Sequence, residues 1–172
     1  MSLHRVGLCG VDDSVDPSLL SAIVSRWPRV ELGVLFRPGK EGQPRFPTRR
    51  WLEQLATISR NTSPPAQLAG HLCGSAVDDV LQRGDVGFVQ TLVGLGFRRV
   101  QLNATAPNGC KTAEDPIQLE KSALHVRNAC AAVPEVEFIV QANDETAPLW
   151  RALLSEPPAN LSLLWDASCG RG

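Results

Sequence analysis

The sequence has no extended run of charge of one sign and no long apolar stretch. Its 17 basic and 18 acidic residues leave a net charge of −1, so the charge pattern does not favour binding to nucleic acid or to an anionic membrane surface. A membrane-spanning helix needs about 20 apolar residues, and no segment approaches that length. The first residues run directly into a strand-like segment without the apolar core of a signal peptide. We therefore expect a cytoplasmic protein that binds neither nucleic acid nor membranes.

Metal and cofactor signatures are also missing. The five cysteines are too few and too scattered for a disulfide scaffold, and no pair has the C-x-x-C spacing of a zinc or redox site. His71, Asp144 and Asp166 lack the H-x-H or H-E-x-x-H spacing of a metal site. A Schiff-base aldolase is disfavoured, because the lysines fall in predicted loops or on a helix. We expect reduced thiols, no metal and no organic cofactor.

Short apolar runs alternate along the chain with longer amphipathic segments. The runs predict six strands at Arg5–Gly10, Val30–Phe36, Gln67–Cys73, Val100–Asn103, Val136–Gln141 and Leu161–Trp165. The intervening segments predict helices at about 17–27, 48–60, 75–85, 86–95, 116–132 and 147–154. Asp16 and Asp115 each precede a proline, which is typical of an N-cap followed by proline at the first helical position. A break is expected at Gly84.

Strict alternation of strands and helices predicts a parallel sheet, and strands that are apolar on both sides predict helices over both faces. An open doubly wound sheet and a barrel both fit this pattern. The G-x-G-x-x-G fingerprint of the first is absent, because the first strand ends in Cys-Gly-Val-Asp-Asp. A complete barrel has eight units in about 250 residues. We therefore predict an α/β fold in which residues 1–172 form one partial TIM-type barrel of about six βα units, cut off after the sixth strand.

Function in parallel α/β folds gathers at the carboxyl ends of the strands. In this sequence those ends carry a thiol, a guanidinium, an imidazole, two amides and a carboxylate, at Cys9, Arg37, His71, Asn103, Asn143 and Asp166. Structural interpretations stay open for each of them. Cys9 also fits a small buried core residue, and His71 also fits a hydrogen-bonded structural imidazole.

Four segments, in order along the chain, carry a family pattern. They are VGLCG at 6–10, LGVLF at 32–36 followed by QPRF at 43–46, VQLN at 100–103, and LLWDA at 163–167 followed by GRG at 170–172. They resemble the K-I-C-G, G-F-x-F…S-P-R-Y, V-Q-L-H-G and L-L-L-D-A…G-G-T-G segments of the phosphoribosylanthranilate isomerases, the barrel enzymes of tryptophan biosynthesis. This resemblance spans nearly the whole chain and implies an isomerase that converts an aminoaldose phosphate into an aminoketose phosphate.

The resemblance also implies residue roles. In that family the first-strand cysteine is the general base and the sixth-strand aspartate the general acid of an Amadori rearrangement, which would assign these roles to Cys9 and Asp166. The family's S-P-R arginine, matched by Arg45, binds the carboxylate of a small-molecule substrate. We expect the substrate-binding residues to be Arg45, Arg37, His71, Gln101 and Asn103.

The sequence departs from the family in its third and fourth strands and at its end. His71 lies in a strand (LAGHLCG) that reads differently from the family's, and Asn103 replaces a family histidine. TIM barrels often build a phosphate site after strands 7 and 8, so we expect little isomerase activity from these 172 residues alone. Open sheet edges predict self-association or a protein partner. The alternative function is a non-catalytic barrel relative that binds a small ligand or a protein partner.

Overall fold

A computed structural model of the chain describes residues 7–27, 29–38, 44–73, 75–81, 83–103, 116–142 and 155–165. The strands in these residues are β1 (Gly7–Val11), β2 (Glu31–Pro38), β3 (Pro44–Arg45), β4 (Gln67–Cys73), β5 (Phe97–Asn103), β6 (Glu137–Ala142) and β7 (Leu161–Trp165). The helices are α1 (Pro17–Arg26), α2 (Arg49–Arg60), α3 (Ser75–Leu81), α4 (Gly87–Gly94) and α5 (Pro116–Ala132). The helix predicted at 147–154 lies outside the described residues.

The sheet follows chain order. Six strands pair in parallel in the order β1-β2-β4-β5-β6-β7. This order is what successive βα crossovers produce when each new strand is added beside the last. The predicted α/β class and the six parallel strands are therefore confirmed. The sequence did not predict β3, a two-residue strand that pairs antiparallel with the end of β2 and sets Arg45 opposite Arg37.

Two helices begin directly after a residue whose side chain caps the first turn. Asp16 caps α1, and its Oδ1 accepts a hydrogen bond of 2.7 Å from the backbone N–H of Ser18. Thr48 caps α2 in the same way. The third helix is shorter than predicted. It ends at Leu81, whereas the prediction extended it to residue 85. Gly84 has φ of +68°, a left-handed conformation that separates α3 from α4.

One face of the sheet packs against the helices, and together they form the hydrophobic core. Side chains alternate between the two faces along a strand, and the parallel registers align Phe36 with Leu72, and Leu72 with Leu102. These three side chains are completely buried, and they belong to one cluster with buried residues of the helices such as Leu20. Phe36 lies at the centre of this face, with its ring centroid 5.1 Å from that of Phe88 and 6.2 Å from that of Phe97.

The opposite face, which we call the inner face, is mixed, because apolar side chains such as Leu35 and Ile139 lie among polar ones. It carries Glu31, His71, Arg99, Gln101 and Glu137, all half-buried. The prediction that the strands are apolar on both sides is therefore wrong. In a TIM-type arrangement the helices cover only the outer face of the sheet, and the inner face turns toward the barrel axis. Polar residues at these positions make the inner face the region where a site could form.

Candidate functional site

The middle of β1 presents a thiol to the inner face, because the strand continues two residues beyond Cys9, to Val11. Cys9 is exposed and pairs in register with Gly33 of β2. The register then shifts, so that Val11 pairs with Val34, and Gly10 forms a bulge with φ of +81°. A Cβ at Gly10 would meet no atom within 4 Å. Glycine is therefore required at this position by its positive φ angle and not by a lack of space.

The bulge at Gly10 places the side chains of Cys9 and Val11 on opposite faces of the sheet. It turns Val11 to the outer face, where it is only 3% exposed, and leaves Cys9 on the inner face. Bulges are frequent beside active sites because they redirect a side chain in this way. The interpretation of Cys9 as a buried core residue is wrong, since the side chain is exposed.

The His71 ring lies directly over Gly33. A Cβ built on Gly33 would lie 2.6 Å from Nε2 of His71 and 3.3 Å from Cα of Cys9. Gly33 is not among the glycines with positive φ, so space rather than conformation requires glycine at this position. The imidazole of β4 thus lies over β2, on the face of the sheet that also carries Cys9. Among the described residues no side chain forms a hydrogen bond with the His71 ring.

The surroundings of His71 favour its neutral form. Burial of the ring lowers the pKa of His71 below its usual value, the charge of Glu31 opposes this change, and the charge of Arg99 adds to it. Burial has this effect because it penalises the charged imidazolium more than the neutral ring. A neutral imidazole keeps one ring nitrogen free to accept a proton. His71 is therefore neutral near pH 7 and a weaker base than an exposed histidine.

This environment predicts a pH-dependent stability. A histidine whose pKa is lower in the folded state than its unfolded value of about 6.5 binds fewer protons when folded, so stability falls as the pH drops below about 6.5 and levels off below the folded-state pKa. We expect the wild type to lose stability relative to His71→Gln over this interval. Urea midpoints of both proteins between about pH 7.5 and about pH 4.5 measure the effect. A stability difference that stays constant over this range would contradict it.

A charged cluster lies on the inner face toward the amino-terminal half of the sheet. Nη1 of Arg99 is 2.5 Å from Oε2 of Glu31, and Nη2 is 2.7 Å from Oε2 of Glu137. Ser162 of β7 donates a hydrogen bond of 3.2 Å to Oε1 of Glu137. Burial works against the charged guanidinium, but the hydrogen bond to Glu137 and the charges of both glutamates outweigh it and raise the pKa of Arg99. In TIM-type folds this end of the sheet usually serves stability, whereas chemistry occurs at the carboxyl ends.

The structure brings some of the predicted site residues together. The His71 ring lies over Gly33, which is the register partner of Cys9, and His71 itself pairs in register with Gln101 of β5. Arg37 pairs in register with Arg45, and their side chains lie outside the described parts of the structure. The backbone of Asn103 ends β5 opposite Cys73.

Two predicted positions lie outside the described residues. Asp166 follows directly after the last residue of β7, and Asn143 follows directly after the last residue of β6. Their predicted roles therefore stay predictions.

Sequence reasoning missed the charged cluster and the role of Gly33. Arg99 falls in a segment that the apolar pattern leaves out, because the predicted strand begins at Val100 whereas β5 begins at Phe97. The available signal was a set of charged residues within or beside predicted buried strands, namely Glu31, Arg99 and Glu137, since such charges are rare in a core without partners. Gly33 carried no sequence signal, because only the position of the His71 ring reveals the lack of space.

Parallel strands that follow chain order, with helices and the buried core on one face of the sheet, define a TIM-barrel-like α/β protein. Comparison with solved structures supports this class. The chain is similar to a family 18 chitinase from Crocus vernus, with a TM-score of 0.55 and 9% sequence identity over 94% of this chain. The alignment spans 66% of the length of the chitinase. At this level of identity the likeness shows the fold alone.

Other comparisons add negative findings. No protein-family model and no curated protein matches the sequence. None of the helices in the described ranges is long and apolar enough to cross a membrane. Within those same ranges no group of three or more His, Cys, Asp and Glu side chains is arranged to hold a metal ion.

Proposed function

We propose that this chain is an aldose–ketose isomerase of the phosphoribosylanthranilate isomerase type, acting on a small phosphorylated or carboxylated metabolite, with a turnover by these 172 residues alone far below that of ordinary enzymes. The observation that carries the proposal is the position of Cys9. Its thiol is exposed on the inner face, in the middle of the first strand of a TIM-type sheet, two residues before the carboxyl end at which such folds carry their chemistry. The first-strand cysteine is also the residue that the sequence resemblance implies as general base.

The proposed reaction needs one acid and one base. An acid protonates the ring oxygen of the aminoaldose, so that the ring opens to a Schiff base, and a base then removes the proton from C2′. We assign the first step to Asp166 and the second to Cys9. The resulting enolamine becomes the aminoketose by tautomerisation, so no cofactor enters the reaction.

Substrate anions would be bound by arginine. Arg45 and Arg37 are register partners at the end of β2, and a guanidinium forms paired hydrogen bonds with a carboxylate or phosphate. We propose that Arg45 binds the substrate carboxylate with Arg37 beside it. Gln101 and Asn103 on β5, and His71 on β4, supply hydrogen-bonding groups to the same substrate.

Turnover by the full chain tests the proposal. Conversion of phosphoribosylanthranilate is followed by the loss of its fluorescence, with enzyme in excess over substrate. Arg45→Gln is expected to raise the half-saturating concentration about tenfold or more, because a hydrogen bond to a charged group contributes about 1.5–3 kcal/mol. Arg50→Gln is the matched control, because Arg50 is an exposed residue of α2, and it should leave that concentration unchanged. A rate no faster than the buffer background, even at high enzyme concentration, would overturn the proposal.

The second candidate is a non-catalytic barrel relative that binds a ligand or protein partner through the open sheet. Leu163 and Leu164 of β7 favour it, because they are 36% and 48% exposed on the last strand of the described sheet. Exposed apolar residues on an unpaired strand edge promote association. Sedimentation at rising protein concentration, together with absent turnover, would favour this function over the isomerase.

A further inference from the structure

We propose that one side of α1 is a homodimer interface, at which α1 packs antiparallel against α1 of a second copy of this chain. The interface is formed by Leu19, Ile23 and Trp27, which we call the α1 stripe. The inference does not depend on the proposed isomerase, because it concerns the outer helix layer and not the inner face of the sheet.

The α1 stripe is apolar and open to solvent. Leu19 and Trp27 are 55% and 54% exposed, and Ile23 between them is half-buried. Trp27 caps the carboxyl end of α1. Residues spaced by four lie on one side of a helix, so the three side chains follow each other along α1. Large apolar side chains that are exposed together mark an interaction site, whereas a single one has no such meaning.

The stripe lies on the side of α1 that faces away from α2. Leu20 and Val24 are completely buried and direct a second side of the helix into the core. Ser18 and Ser21 direct a third side to α2, because they line the groove between the two helices. Successive residues of a helix are rotated by about 100°, which places the α1 stripe on the far side of the core-facing residues from α2. This side of α1 borders the edge of the sheet at β1, since β1 has β2 as its strand partner in the described ranges.

The β1 edge itself is poorly suited to receive a strand. β1 has five residues, and its register shifts at the bulge formed by Gly10. Bulges and short strands protect the edge of a sheet against further strand pairing. The surface beside β1 therefore accommodates a second helix, packed against α1 on the side opposite α2.

The charges at the two ends of the stripe select an antiparallel helix with the same charge pattern. Asp16 is exposed at the amino end of α1, and Arg26 and Arg29 are exposed at its carboxyl end. An antiparallel second copy places its carboxylate beside these guanidinium groups and its guanidinium groups beside this carboxylate. A parallel copy would bring like charges and like helix ends together. The antiparallel pair has two-fold symmetry, the commonest symmetry of soluble homo-oligomers.

This geometry also fixes the contacts and the strength of the dimer. A two-fold axis beside Ile23 sets Leu19 of each copy against Trp27 of the other. Three apolar residues from each copy are far fewer than the roughly 20–30 residues a side of a standard interface. We therefore expect a weak dimer, with a Kd of about 10–100 µM.

Sedimentation equilibrium of the full chain tests the inference, at concentrations from about 5 to about 500 µM that bracket this Kd. Leu19→Glu is expected to raise the Kd at least about tenfold, because it puts a carboxylate without a partner against Trp27 of the second copy. Leu124→Glu is the matched control, since Leu124 is 56% exposed on α5, and it should leave the Kd unchanged. Both leucines are exposed, so both variants should keep the circular dichroism of the wild type.

Cross-linking locates the contact on α1. The two-fold axis brings residue 23 of both copies together, so we expect Ile23→Cys to form an interchain disulfide under a mild oxidant at least about tenfold faster than Ser25→Cys. Ser25 is exposed on the opposite side of the same helix. Both substitutions are made in the Cys9→Ala chain, so that tryptic peptide 6–26 carries one thiol and mass spectrometry identifies the joined peptides.

A chain that stays monomeric over the whole range of concentration would overturn the inference. Equal effects of Leu19→Glu and Leu124→Glu, or equal cross-linking at positions 23 and 25, would also overturn it. Association that continues beyond the dimer and is lost in Leu164→Glu would assign the contact to the β7 edge, where Leu164 is exposed. A dimer that Leu19→Glu dissociates would support the interface whether or not the chain shows turnover.

Discussion

Replacement of Cys9 by alanine is expected to reduce isomerisation by a factor of about 10²–10⁴, down to the background rate in buffer. A positioned general base contributes about this factor, and alanine has no group that can take the C2′ proton. The fold should persist, because the Cys9 side chain is exposed and contributes little to the core. Single-turnover fluorescence measures the rate, and circular dichroism measures the fold.

The control for this substitution is Cys130→Ala. It removes a thiol from α5, where the side chain is buried in the helix layer, and should leave the rate unchanged in the folded fraction. Equal losses in both variants would attribute the effect to the fold. Full activity of Cys9→Ala would show that Cys9 takes no part in the reaction.

Replacement of Phe36 by alanine is expected to destabilise the fold by about 3–5 kcal/mol, which is the usual cost of emptying a fully buried phenylalanine site. Phe36 is completely buried and its ring packs against Phe46, Phe88 and Phe97. Because those rings come from separate segments of the chain, their rearrangement can fill the cavity only in part. Urea denaturation with a common m-value measures the change in the free energy of unfolding.

Leu35→Ala is the comparison for this second prediction. Leu35 is the preceding residue of β2, and it is half-buried on the inner face. Its truncation should cost less, about 1–2 kcal/mol. A larger loss for Leu35→Ala than for Phe36→Ala would show that the stabilising core lies on the inner face, contrary to the burial pattern.

Much of the fold could be predicted from the pattern of apolar residues. Strands of a parallel sheet that is covered by helices appear in the sequence as short apolar runs. The predicted bounds of β4 and β7 coincide with the observed ones. The start of β5 was missed, because Arg98 and Arg99 interrupt the apolar run, although Arg99 pairs with Ala69 of β4 and with Glu137 of β6. The end of β2 extends two residues beyond the prediction, since its antiparallel pairing with β3 depends on a distant segment.

The candidate site was less predictable than the fold. The sequence placed Cys9 and His71 at the ends of the first and third predicted strands, but it could not show that the imidazole lies over Gly33 of the strand between them. That contact depends on the side-chain volume at Gly33, which is a property of three strands together. The bulge at Gly10 was likewise invisible, because glycine at the end of a strand commonly marks a turn.

The link from Arg99 to Glu31 also bears on the shape of the sheet. Arg99 belongs to β5 and Glu31 to β2, with β4 between them, so one guanidinium fixes the distance between strands that are not neighbours. The same guanidinium also contacts Glu137 of β6. One side chain therefore links three strands of the sheet over the inner face, in addition to the hydrogen bonds of their backbones.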